Sequence, residues 1–332
     1  MSYYKYLKYK SKIKKYKGGS SGKDSMTDFL NNDMENILSI ANKVNIIGFS
    51  EATHGQQLIT KFRMKVFKNL VKKCGYTIFI LEEQYSCCEL INKYIKNGVG
   101  NPEDVLISNF IWFWQSKEML KLIIWMRNYN VKHNNILEFK GLDMQCICND
   151  YDDSNDEVAK YVKNQARSYL DVDHDDNVEA DGTRDKIMYR TFIKIYRPGI
   201  KYFIYMQAGH ISKHDYVEED NESIDWLGSY LSKEFGSNYY AVGNIFVNGT
   251  YLETKTKQSN EFVILDESIT IPGLDADQLA EGLTIYRQED KMKRFFDAIM
   301  VIRNEVPLEL IPTNRKRRYL SSFGITISCQ LD

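Results

Sequence analysis

Proline is scarce, with five in 332 residues, while lysine, asparagine, isoleucine and tyrosine are plentiful. This is the signature of an AT-rich coding sequence, and it speaks to origin rather than activity. No apolar run is long enough to span a bilayer, which excludes a membrane-spanning helix. The opening residues lack an apolar core segment, so no secretory signal is expected. Excess charge is missing too. The net charge is −1, which argues against bulk electrostatic binding of nucleic acid. Six cysteines are present, at 74, 87, 88, 146, 148 and 329, but none forms a CxxC pair. A chain of this size without an export signal is not expected to be a disulfide framework. The expectation is a reducing, intracellular and cytoplasmic setting, in which the sequons at Asn221 and Asn248 carry no meaning. No GxSxG elbow occurs, so a serine esterase of the α/β-hydrolase type is not supported. No HExxH pair and no internal repeat occur either.

What is present is a chain able to fold: 43% of its residues are hydrophobic, enough for a large core. It divides into a tail and a body. Residues 1–17, "MSYYKYLKYKSKIKKYK", hold seven lysines, five tyrosines and no acid. Tyr6, Tyr9, Ile13 and Tyr16 follow helical spacing. "GGSSG" at 18–22 reads as a flexible linker. The tail is expected to be a solvated basic segment or an address for an acidic partner. It resembles the lysine–tyrosine leaders of giant DNA virus proteins, which would place the chain in host cytoplasm or a virion.

The body, 23–332, reads as one domain in which strands and helices alternate. "VNIIGFS" (44–50), "YTIFILE" (76–82), "ILEFKGLD" (136–143) and "IKYFIYMQAGH" (200–210) are expected strands, with later ones at 239–247 and 297–303. Between them, Leu58, Phe62, Val66 and Leu70 share a helical face, Gly75 and Gly98 are placed to end helices, and Ser116 caps a helix whose apolar side is Leu120, Ile123 and Ile124. An acidic excursion near 149–185 carries one helix near 157–170. The pattern predicts an α/β fold, a mostly parallel central sheet flanked by helices.

In such sheets functional groups gather beyond the carboxyl ends of the strands. Here each of four strands ends in polar residues: Glu51 and His54, then Glu82 and Glu83, then Asp143 and Gln145, then Gln207 and His210. Each has a plainer reading. Glu51 or Thr53 would cap the next helix, Asp143 would cap a turn, and Arg63 would be an exposed arginine. His54 would be a hydrogen-bonded loop histidine, as His133, His174 and His214 are expected to be. Convergence at one sheet edge favours a site.

"SEATHG" followed by Arg63, then "FILEEQY", "FIWFWQSKEMLKLIIWMR", "GLDMQ" and "YMQAGH", resembles the erythromycin esterase family in order and approximate spacing. The resemblance spans most of 44–215. It implies an erythromycin esterase-like α/β fold and hydrolysis of a cyclic ester by water, the chemistry of macrolide resistance. It sets the catalytic histidine on His54, its paired acid on Glu51, and further site residues on Arg63, Glu82 and His210. Asp143, Gln145, Gln207, Trp112 and Trp114 are the substrate-binding candidates. Where the family reads His-Asn-x-His, this chain reads Gln207-Ala208-Gly209-His210, so one imidazole is replaced by an amide.

These residue types suit the reaction. Water attack on an ester needs a base, and imidazole is suited to neutral pH. Glu51 would hold the imidazole, and Arg63 or His210 would stabilise the oxyanion. The implied partner is a small ester or lactone, with no cofactor. Two alternatives stand beside this reading. Glu51, His54, Glu82, Asp143 and His210 are donors suited to Mn²⁺ or Zn²⁺ in a metal-dependent hydrolase. A degenerate site on a non-catalytic virion or scaffold protein is the other.

Overall fold

The computed structural model describes residues 34–170, 178–214, 216–217, 223–246, 249–256, 259–265, 282–285, 295–302 and 305–312. The tail and linker over 1–22 lie outside these residues, as does His174. The architecture is the expected one. β1 (Ile46–Glu51), β2 (Ile78–Gln84), β3 (Glu138–Asp143), β4 (Tyr202–Gln207), β5 (Tyr239–Phe246) and β7 (Ala298–Ile302) pair in parallel, and β6 (Gly282–Ile285) adds an antiparallel edge. The strand order is β6-β7-β5-β1-β4-β2-β3. The strands Tyr239–Phe246 and Ala298–Ile302 fall where the apolar runs predicted them.

The two-residue period of each strand splits the core into two layers. Ile47 and Phe49 of β1, and Phe203 and Tyr205 of β4, point to one face. Ile46, Tyr202, Ile204 and Met206 point to the other. The first face is covered by α1 (Gln57–Cys74), α2 (Tyr85–Asn97), α3 (Pro102–Asn109) and α4 (Lys117–Lys132), which bury Phe62, Phe67, Ile91, Leu106 and Ile123. Phe67, Phe79 and Phe203 pack ring against ring, with centroids 5.0–5.9 Å apart. Burying each such side chain stabilises the fold by about 1.5–3 kcal/mol.

Helix ends follow the local chemistry. Gly75 and Gly98 take left-handed φ of 74° and 73° and end α1 and α2. Ser116 accepts the Met119 amide at 3.1 Å and starts α4. One detail differs: α4 buries Met119, Leu122, Ile123 and Met126, while Ile124 is exposed. Ile124 lies 100° from Ile123, and the sheet claims only one side of the helix.

Two departures bear on function. The fourth strand stops at Gln207, and residues 208–211 make a helical turn, α7 (Ala208–Ile211). His210 therefore sits on a turn folded back over the sheet edge rather than on a strand. Gly48 permits this close approach, since a Cβ there would meet Ile211 Cγ2 at 2.9 Å and the Tyr239 hydroxyl at 2.7 Å. Second, the acidic excursion holds two helices: α5 (Glu157–Leu170), as expected, and α6 (Val178–Ile195), which was not. From α6, Met188 and Phe192 pack on the second face of the sheet, beside Leu227 and Leu231 of α8 (Leu227–Phe235).

Candidate active site

The carboxyl ends of β1, β4, β2 and β3 lie side by side, and the register brings their last residues level. Glu51 pairs with Gln207, and Gln84 with Asp143. Two groups of side chains are built on this edge.

The first is built on β1 and α1. Glu51 Oε1 lies 2.5 Å from His54 Nδ1. Glu51 Oε2 accepts from Arg63 Nη2 at 2.8 Å and from the Tyr205 hydroxyl at 2.9 Å. Arg63 is fully buried, donates to the Ser50 carbonyl at 2.9 Å, and lies 3.5 Å over the Tyr205 ring. Burial pushes the Glu51 carboxyl up, but Arg63 and His54 outweigh it and hold the group below the usual carboxylate range. Burial, helped by the Glu51 carboxylate, pushes the Tyr205 hydroxyl well up, so it stays a donor.

His54 differs from its neighbours in being open to solvent, with 25% of its side chain exposed against 2% for Glu51. Its ring stacks on Phe113 at 3.7 Å and 6°, with the Trp114 edge at 5.9 Å. Among the described residues its Nε2 has no hydrogen-bond partner. The loop carrying it is pinned by Gly55, whose φ is 85°. The Gly55 carbonyl accepts the Leu252 and Leu308 amides at 3.1 and 2.9 Å, and a Cβ there would collide with the Leu252 carbonyl at 2.0 Å. Neither Glu51 nor Thr53 caps α1. Glu305 does, accepting the Leu58 amide at 2.6 Å and the Ile59 amide at 3.3 Å.

The second group centres on Arg184 of α6. Its Nε and Nη2 donate to the two oxygens of Asp143 at 3.0 and 2.8 Å, and Nη2 also reaches Glu82 Oε1 at 3.0 Å. His210 Nδ1 lies 2.9 Å from both Asp185 oxygens, and its Nε2 lies 3.2 Å from Glu82 Oε1. Arg184 Nη1 is also 3.2 Å from that nitrogen, so the proton on Nε2 decides which contact is a hydrogen bond. Burial pulls the His210 pKa down, but Asp185 and Glu82 outweigh it and push it up to about 10. We therefore assign an imidazolium donating to Glu82; three carboxylates surround the two cations. Glu82 responds in kind. Burial raises its carboxyl, but His210 and Arg184 hold it far below the usual range.

The groups meet at β4. The Gln207 backbone N–H donates to Glu82 Oε2 at 2.7 Å, Tyr205 serves Glu51, and the Trp114 indole donates to the Glu82 carbonyl at 2.8 Å. Glu51, His54, Arg63, Glu82, Asp143, Gln207, His210 and Trp114 thus share one sheet edge. Trp112 is buried against Phe113, 5.4 Å away, while Gln145 is half-buried two residues beyond Asp143. Arg63 is not the exposed arginine of the plainer reading, because β1 and Tyr205 enclose it.

The sequence reading missed Arg184 and Asp185, which it left in an acidic excursion. A signal was there: Met188, Thr191, Phe192 and Ile195 repeat at helical spacing, and the buried face continues one turn back to Arg184 and Asp185. The metal alternative is not what these donors form. Glu82 and Asp143 already share a guanidinium. Among the described residues, no three of Glu51, His54, Glu82, Asp143 and His210 bring donor atoms within 4.8 Å of one another.

A pH dependence of stability follows. An unfolded histidine titrates near 6.5 and His210 near 10. Between these values the folded state keeps a proton the unfolded state has lost. This contribution is whole below pH 6.5 and drains away as pH rises towards 10. Glu82 runs the other way: it contributes above the ordinary glutamate value of 4.5 and is lost as pH falls. Thermal melts should therefore show a falling alkaline limb, and His210→Asn should flatten it. An unchanged limb in that variant would refute the assignment.

The family model described as erythromycin esterase matches residues 71–175. Among solved structures, the fold is similar to a Bacillus cereus protein, at 18% identity and a TM-score of 0.64 over 85% of this chain and 93% of that one. A succinoglycan biosynthesis protein aligns at 16% identity and a TM-score of 0.64, over 88% and 100%. An erythromycin esterase variant in its open conformation aligns at 11% and 0.58, over 82% and 94%. No curated protein matches the chain.

Proposed function

We propose that the chain, which matches the erythromycin esterase family model over residues 71–175, hydrolyses a small ester or lactone with a water activated by His54. Family and fold suggest a hydrolase. The observation that supports the finer reading is the contrast along one hydrogen bond. Glu51 is buried and held by Arg63 and Tyr205, whereas His54 is open to solvent, with Nδ1 engaged and Nε2 without a protein partner.

Glu51 fixes the tautomer that carries the proton on Nδ1 and leaves the Nε2 lone pair outward. Nε2 takes a proton from water as its oxygen attacks the carbonyl carbon. The resulting imidazolium is stabilised by Glu51, then returns the proton to the departing alkoxide as the C–O bond breaks. Arg63 is a positioning residue in this scheme, since it touches Glu51 and not the cleft. Developing negative charge on the carbonyl oxygen is met by the field of the His210 and Arg184 cations, and by the half-buried Gln207 amide. Removal of one such donor typically costs about 10²–10³ in rate. Phe113 and Trp114 would form the apolar wall, and Asp143 orients Arg184.

Gln207 sets the expectation for substrate. An amide donates and accepts hydrogen bonds but carries no charge. Compared with an imidazolium at this place, it lacks a charge-assisted contact worth about 1.5–3 kcal/mol, roughly one to two decades in rate. Erythromycin should therefore be hydrolysed poorly, and the native substrate should be smaller or have a better leaving group. Gln207→His should raise macrolide hydrolysis by about one to two decades. Opening of macrolides by the unaltered protein at an ordinary enzymatic rate would contradict this. If both proteins are inert towards a broad ester panel, the non-catalytic reading is the better one.

A further inference from the structure

A second cluster of reactive side chains lies behind the first and takes no part in the proposed mechanism. Glu83 is the residue after Glu82 on β2. Cys87 stands in the first turn of α2, its amide held by the Gln84 side chain at 2.8 Å. Cys146 and Cys148 belong to the loop that leaves β3 directly after Asp143. A carboxylate oxygen of Glu83 and the Sγ atoms of Cys87 and Cys146 lie within 4.8 Å of one another, and all three residues are buried. Both Cys146 and Cys148 make side-chain contacts with the Cys87 thiol, and Cys148 Sγ also lies 3.6 Å from Asn109 Oδ1.

Packing alone explains one buried cysteine well, because the thiol behaves as a small hydrophobe. It explains three thiols meeting beside a fully buried carboxylate poorly. An ionised carboxylate taken out of water needs partners, and thiols are weak donors. Glu83 accepts the backbone amides of Gln84 at 2.8 Å and Ile111 at 2.7 Å.

We propose that Glu83, Cys87, Cys146 and Cys148 bind one zinc ion as a closed, structural site. The donor set is the softness class that selects zinc: thiolates with one oxygen ligand. Zn–S bonds of about 2.3 Å set tetrahedral sulfurs about 3.8 Å apart, about 1 Å inside the observed limit. Side-chain rotation can close that gap, with Cys148 turning from Asn109 towards Cys87. Binding is a simple exchange. Three thiol protons are released to solvent as three Zn–S bonds and one Zn–O bond form, and nothing is oxidised or reduced. The excess negative charge of the filled site faces the N-terminus of α2, which favours anions. Such a zinc ties the loop after Asp143 to the start of α2 and the end of β2, bracing the two strand ends that carry Glu82 and Asp143 without touching the reacting atoms.

The test uses the full chain produced in zinc-supplemented medium and dialysed against metal-free buffer. Elemental analysis should find roughly one zinc per chain. Cobalt(II) exchanged into the wild-type protein should give intense thiolate-to-cobalt charge-transfer absorption and the visible bands of a tetrahedral site. Cys87→Ser and Cys146→Ser should lose most of the zinc, whereas Cys74→Ser, at the far end of α1, should keep it. The cobalt spectrum is read on unaltered protein, so it decides the matter even where a serine variant fails to fold. The proposal is overturned by wild-type protein that retains no zinc and gives no cobalt–thiolate absorption. It is equally overturned by full zinc in a variant carrying both Cys87→Ser and Cys146→Ser, or by a Cys87–Cys146 disulfide in the isolated protein by mass spectrometry. None of these readouts depends on hydrolytic activity.

Discussion

His54→Asn should lower ester hydrolysis by about 10²–10⁴-fold while leaving the melting temperature nearly unchanged. Asparagine keeps a polar group beside Glu51 but cannot take a proton from water at neutral pH. The fold should tolerate it, because His54 is partly exposed and its main energetic contacts are one hydrogen bond and a stack on Phe113. The informative comparison is with Glu51→Gln. That variant keeps the base but loses the charge that Arg63, Tyr205 and His54 all address, so it should lose both activity and stability. Steady-state kinetics with parallel melts separate the two. A His54→Asn enzyme that turns over an ester at the wild-type rate would eliminate His54 as the base.

The largest effect on stability should come from Arg184→Met, about 3–5 kcal/mol by denaturant titration. The side chain is long enough to fill the space, so the cost is chiefly electrostatic. Asp143 loses its bidentate partner and Glu82 loses one of its cations, in a place where water cannot replace them. Two further readouts separate this cause from lost packing. Arg184→Lys should recover only part of the loss, since an ammonium cannot form the paired contact with Asp143. Lowering the pH towards 4.5 should narrow the gap between variant and wild type, because protonating the orphaned carboxylates removes their penalty. A gap independent of pH would point to packing instead.

Half of the candidate site was legible before folding. Glu51, His54, Glu82, Asp143 and His210 stand at the ends of apolar runs, and parallel strands of similar length must bring their ends to one edge. The helix boundaries at Gly75, Gly98 and Ser116 were legible for a similar reason: caps are satisfied by residues within a turn. Arg184 and Asp185 were obscured because an acidic, glycine-containing stretch, "DDNVEADGTRD", reads as solvated surface. The structure instead turns the arginine inward, where the carboxylates of Glu82 and Asp143 would otherwise be buried without a cation. Glu305 caps α1 by accepting the amide of Leu58, 247 residues earlier in the chain, a pairing that no local pattern encodes.

By itself, then, the sequence determined the α/β class, the parallel strands, the helix limits and a row of acids and imidazoles at one sheet edge. These follow from periodicity, capping and strand alternation, interactions that act over a few residues. Only the tertiary structure decided the protonation and orientation of that row. It supplied Arg184, Asp185 and Tyr205 as partners, buried Arg63 behind Glu51, left His54 open, and gathered Cys87, Cys146 and Cys148 beside Glu83. Charge, exposure and thiol proximity depend on which distant segments exclude water from a given place, and that is a property of packing rather than of spacing along the chain.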